Sequence, residues 1–166
     1  MKRILSVSVL ALFFSLSAVS QSSKTDSIIK TIRKEFTAIN NYTGFKIEKS
    51  EVEGLSTEGG YIEKYTEVKV LRKAVLVLYG ESGQLICEYY FAGGKLIFCF
   101  EKNETFDKHV SEGPPTKIVS SVESRFYFHN NKLIRWLSGD RIEEKSKYPQ
   151  REKEIMNDLK GDLKLL

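Results

Sequence analysis

Histidine, cysteine, tryptophan and proline are scarce in this chain of 166 residues: two His, two Cys, one Trp and three Pro. These scarcities remove whole classes of chemistry. The histidines, His109 and His129, belong to no H-E-x-x-H motif, and G-x-S-x-G, P-loop and dinucleotide fingerprints are missing as well. Cys87 and Cys99 form no C-x-x-C, and two ligands do not make a metal site. A cysteine in mid-strand is also badly placed for an exposed, activated thiolate. His109, near Asp107 and Glu112, reads as part of a solvated loop rather than a metal site. His129 reads as the polar residue of a turn. No metal, cofactor or catalytic residue is expected. Carboxylates are plentiful, but no pair stands out as acid and base, because that role needs contrasting environments.

Long apolar runs are also missing, with one short exception at the start. Lys2-Arg3 followed by the mostly apolar Ile4–Leu16 and the small-x-small Ala18-Val19-Ser20 fits an export signal cleaved after Ser20. The brief basic start fits a bacterial one. The run is too short and wrongly flanked for a comfortable membrane span. Residues 1–20 are thus expected to be a signal peptide and 21–166 a single domain, periplasmic or secreted, with no integral membrane segment after cleavage. No cysteine near the cleavage site offers a lipid anchor.

A charge of one dominant sign is the next absence. The whole chain carries 26 Lys+Arg against 22 Asp+Glu. Two of the basic residues fall in the first twenty positions, so the processed chain has 24 against 22 and a net charge of +2. No basic stripe is present, and nucleic acid is excluded as a partner.

The remaining pattern predicts an α+β fold. Ile28, Ile32, Phe36 and Ile39 fall on one stripe, predicting a helix over 27–40 that Thr25 or Asp26 caps. Ala74–Tyr79 (AVLVLY) is apolar throughout and predicts a strand buried on both faces. Strands are further expected at about 61–70, 84–92, 95–102, 119–129 and 132–138, with a four-residue loop at Gly80–Gly83 and an irregular stretch over 103–117. Ile155, Leu159 and Leu163, with Met156 and Leu166 beside them, predict a helix from about Pro149 to the end. The order is helix, about six strands, helix. With no crossover helices between strands, it predicts an antiparallel meander sheet with both helices packed against it.

One phrase occurs twice. YYFAGGKLIF (89–98) returns as FYFHNNKLIR (126–135), identical at five of ten positions. Gly93-Gly94 and Asn130-Asn131 tolerate positive φ at both centres of a type I′ turn, so each copy predicts a two-residue hairpin. Pairing Ala92 with Lys95 sets Tyr89 opposite Phe98, Tyr90 opposite Ile97 and Glu88 opposite Cys99. Cys87 and Cys99 then point to opposite faces and stay free. A three-residue loop at 92–94 would instead set them directly opposite each other. In the second copy, pairing His129 with Lys132 sets Phe126 opposite Arg135, Tyr127 opposite Ile134 and Arg125 opposite Trp136. These Arg–aromatic pairs would suit cation–π contact.

This register puts Tyr90, Tyr127, Trp136, Arg125 and Glu88 forward as a solvent-facing platform for a protein or glycan of the cell envelope. The function expected is that of a non-enzymatic binding module. The alternatives are a small periplasmic hydrolase with a cleft lined by Glu88 and Arg125, and a structural envelope-assembly partner that uses a sheet edge.

Overall fold

The computed structural model describes residues 12–114 and 117–165. Of the predicted signal segment, residues 1–11 lie outside the described residues. Residues 12–20 form the first turns of helix α1 (Leu12–Asn41). No helix among the described residues is long and apolar enough to cross a membrane. The expected cap at Thr25 or Asp26 does not form, because the helix runs straight through those positions. Asp26 instead pairs with Arg135 at 2.7 Å, tying the helix to the sheet.

The fold is α+β. After α1 comes one eight-stranded antiparallel sheet in strict sequence order. Its strands are β1 (Lys46–Val52), β2 (Gly60–Glu67), β3 (Val70–Gly80), β4 (Gly83–Ala92), β5 (Lys95–Phe106), β6 (Ile118–His129), β7 (Lys132–Ser138) and β8 (Arg141–Ile142). Helix α2 (Tyr148–Asp162) closes the chain, followed by a short 3-10 turn. The two strands beyond the expected six are the sheet's edges, β1 and β8. The AVLVLY segment sits inside β3, and Ala74, Leu76 and Val77 are buried. The loop expected at Gly80–Gly83 shrinks to Glu81-Ser82, since Gly80 pairs with Gly83. The stretch expected to be irregular is mostly strand, because β5 runs on to Phe106 and pairs with β6 as far as Ile118.

Both doubled hairpins turn where the sequence predicts. Gly93, Gly94, Asn130 and Asn131 all have φ between 50° and 71°, and Ala92 pairs with Lys95 and His129 with Lys132. Two residues later the predicted register fails, and it fails in the same way in both copies. Phe91 faces Leu96, but Tyr90 faces Phe98, so Ile97 is an extra residue. Phe128 faces Leu133, but Tyr127 faces Arg135, so Ile134 is an extra residue. Each is a β-bulge, which adds one residue to one strand and shifts every later pair by one. The predicted pairs Tyr89–Phe98, Glu88–Cys99, Phe126–Arg135 and Arg125–Trp136 are therefore replaced by Tyr89–Cys99, Glu88–Phe100, Phe126–Trp136 and Arg125–Leu137.

Each face of the sheet has its own core. On one side α2 contributes Tyr148, Ile155 and Leu159 to a cluster with Leu76, Cys87, Tyr89, Cys99, Phe126 and Phe128. On the other side Ile29, Ile32 and Ile39 of α1 pack on Tyr90, Phe98 and Tyr127, with Ile97 and Ile134 beside them. The bulges thus deliver two extra isoleucines to the α1 side. Full burial of an aliphatic side chain contributes about 1.5–3 kcal/mol, so the buried isoleucine stripe of α1 favours the packed position of the helix.

Candidate functional site

The five residues of the expected platform do not share a face. Tyr90, Tyr127, Glu88 and Arg125 lie on the α1 side. Trp136 lies on the α2 side, its ring 5.5 Å from that of Phe126. The bulge at Ile134 causes this separation by moving Trp136 one position along the ladder. The platform is not solvent-facing either, because α1 covers it: Tyr90 is 1% exposed and Tyr127 5%. Cation–π contacts form, but from other cations: Lys73 of β3 lies 4.9 Å from the Tyr90 ring centre. Arg33 of α1 lies 5.8 Å from the Tyr127 ring centre, and Arg151 of α2 lies 5.0 Å from that of Phe126.

The helix covers this face incompletely. Between α1 and strands β4–β6 lies a cavity of about 430 Å³, within the usual range for small-molecule sites. Ile32 and Phe36 form its roof, and Phe98, Phe100 and Tyr127 its floor. Charged groups sit around the apolar interior: Glu88, Glu123 and Arg125 from the sheet, and Arg33 from the helix. Three of the five expected residues, Glu88, Arg125 and Tyr127, therefore line one space.

Their partners are well defined. Glu88 pairs with Lys73 at 2.9 Å and accepts a hydrogen bond from the Tyr90 hydroxyl. Lys73 also donates to Asn40 Oδ1 at 3.2 Å, near the end of α1. Burial, and then the adjacent Glu88 carboxylate, push the Tyr90 hydroxyl far above the ordinary tyrosine range, so it stays a donor. Arg125 donates to Glu123 at 2.6 Å and to the Gly139 carbonyl at 3.1 Å. The cation predicted to stack on Trp136 is thus held by its own strand and by the turn after β7.

Sequence reading misses a second group of titratable side chains, between α2 and the sheet. A cavity of about 500 Å³ is lined there by Cys87, Tyr89, Glu101, Arg151, Asp158 and Asp162, among others. Burial raises the carboxyl groups of Glu101 and Asp162 above their ordinary values. Their polar atoms answer one another: Arg151 pairs with Glu101 and Glu154, and Tyr89 donates to Asp162 at 2.9 Å. Such mutual satisfaction is what a buried polar seam between helix and sheet requires. The only sequence signal for it was the placement of Tyr89 and Glu101 on strands and of Arg151 and Asp162 on the helix, 50 and 73 residues away respectively.

Metal chemistry finds no ligand set, since no group of three or more His, Cys, Asp or Glu able to hold an ion occurs among the described residues. His109 accepts from the Ser111 amide at 3.1 Å, and its other ring nitrogen lies 3.1 Å from Glu81. Its role is to cap the short turn Val110–Glu112.

Comparison of the chain with known protein families, with curated proteins and with solved structures finds no match.

Proposed function

We propose that the protein is a non-enzymatic binding module, exported to the periplasm or secreted after cleavage behind Ser20, whose ligand sits between α1 and the aromatic face of the sheet. The observation that carries this reading is the cavity itself: apolar roof and floor, charged groups around them, and a volume suited to a small molecule. Every α1 residue that lines it follows Ser20, so the site belongs to the processed chain. Because α1 buries Tyr90 and Tyr127, a small ligand fits this face better than the envelope protein or glycan that an open platform would suit.

A hydrolase reading draws on Glu88 and Arg125 lining one cavity. Against it, each is already bound to another side chain, Glu88 to Lys73 and Arg125 to Glu123, and no His, Ser or Cys lines the space. An assembly role draws on residues 118–122 of β6, which project beyond β7, are all exposed and carry no charge. A bulge at Val119 interrupts that edge, and bulges twist an edge away from a flat partner.

The test uses N-phenyl-1-naphthylamine, a neutral apolar dye that brightens when it leaves water. The full chain is expected to enhance its fluorescence saturably. Phe100→Lys, which brings a charge to the cavity floor, is expected to abolish the enhancement while leaving the circular dichroism spectrum intact. No enhancement, or equal enhancement with the variant, would remove the cavity as a binding site.

A further inference from the structure

We infer that the ligand of the α1 cavity is an amphipathic monoanion, an apolar chain or ring system of about ten carbons ending in a carboxylate, with Arg33 as its counter-ion. This inference rests on the reading of the cavity as the binding site.

Charge around the cavity carries it. Four ionic side chains line the space. Glu88 is answered by Lys73 at 2.9 Å, and Glu123 by Arg125 at 2.6 Å. Arg33 alone among the four makes no ion pair with another described residue. Its guanidinium lies over the face of Tyr127, 5.8 Å from the ring centre. Stacking of that kind orients an arginine while leaving its edge donors available.

An apolar wall strengthens the effect of such a charge, because field lines near low-dielectric surfaces are less damped than in open water. Two neutral pairs and one free cation therefore select for a single negative charge at the cavity's polar border. A dianion would meet Glu88 and Glu123, and a cation would meet Arg33. The interior fixes the rest of the molecule. At about 30 Å³ per water-sized group, 430 Å³ holds on the order of fourteen heavy atoms. Phe36, Phe98 and Phe100 around it offer no hydrogen bond, so the body is apolar.

Decanoate and decanol share one chain and differ in the charged head. Each is titrated against the complex with N-phenyl-1-naphthylamine, below its aggregation threshold, using the unaltered chain and Arg33→Glu. Decanoate is expected to displace the dye roughly ten- to a hundredfold more tightly than decanol, the scale of one charge-assisted hydrogen bond. In Arg33→Glu that preference is expected to invert, and in the unaltered chain it is expected to shrink as salt rises. Equal displacement by the two compounds, or a preference unchanged by Arg33→Glu, would overturn the anionic assignment while leaving the cavity as an apolar site. Displacement by neither would overturn the assignment of ligand class, whereas the cavity reading beneath it falls only if the dye itself shows no enhancement or is enhanced equally by Phe100→Lys.

Discussion

The Tyr89 hydroxyl donates a hydrogen bond to Asp162 Oδ2 across 2.9 Å, joining the central strand β4 to the last turn of α2. Both residues are buried. Tyr89→Phe keeps the ring in its packing and removes only the donor, so a buried carboxylate loses its partner. Stranding such a group costs about 1–3 kcal/mol. Urea unfolding is expected to show a lower midpoint with an unchanged slope, since the surface exposed on unfolding barely changes. A midpoint equal to the parent's would mean that water replaces the hydroxyl at no cost.

The same contact sets a pH dependence. Burial raises the Asp162 carboxyl above its unfolded value, and the bond from Tyr89 only partly opposes this. Burial raises Glu101 too, against the pull of Arg151. A carboxyl whose pKa is raised on folding binds its proton more tightly in the native state. Its contribution to stability is greatest below the unfolded pKa and is lost as pH rises through the folded pKa. Asp162→Asn removes that loss. Unfolding midpoints measured from weakly acidic to neutral pH are therefore expected to fall less steeply, or rise more steeply, in Asp162→Asn than in the parent. Parallel curves would show that Asp162 titrates alike in both states.

Strain is visible at one turn. Val68 and Lys69 join β2 to β3 with φ of 46° and 66°, the conformation that Gly93-Gly94 and Asn130-Asn131 adopt in the doubled hairpins. A β-branched residue fits that region poorly. Val68 is 91% exposed, so no packing offsets the strain. Replacing the pair by Asn-Gly, the preferred residues of a type I′ turn, is expected to raise stability by about 1–2 kcal/mol. Thermal melting of V68N/K69G measures it, and an unchanged or lower midpoint would count against the turn geometry.

This turn also marks a limit on what the sequence makes legible. Gly-Gly and Asn-Asn announce a reversal because the residue types demand positive φ. Val68-Lys69 does not, so the segment from Tyr61 to Val70 reads as one strand when it is all of β2 but its first residue, a turn and the first residue of β3. The meander, the two helices and their apolar stripes are legible because each rests on a periodicity that burial enforces. The edge strands are not. β1 (KIEKSEV) is mostly exposed and charged, and β8 has only two residues. The bulges are hidden for a different reason. Lys-Leu-Ile is a good strand in either register, and the one that forms adds Ile97 and Ile134 to the side that α1 covers. That shift separates Trp136 from Tyr127, while Glu88, Arg125 and Tyr127 remain on one face because they sit on β4 and on the stretch of β6 beyond its bulge, where no extra residue intervenes.

The bulge at Ile97 changes the reasoning about the cysteines. With Tyr89 opposite Cys99, Cys87 and Cys99 lie on the same side of the sheet, inside the α2-side core, and not on opposite faces. They are diagonal neighbours, and both are free thiols. Burial pushes both thiols well above the ordinary range, with the Glu101 carboxylate adding to the rise, so neither is a thiolate near neutral pH. Ellman's reagent is expected to find no reactive thiol in the folded chain and two after denaturation. Cys99, fully enclosed at the sheet's centre, opens only with the core itself. Its labelling rate should rise with urea as steeply as global unfolding does. Cys87 lines the seam cavity against α2, so lifting of the helix alone is expected to label it first. Rapid modification of Cys99 under native conditions would contradict the register that places it beside Tyr89 on the α2 side of the sheet.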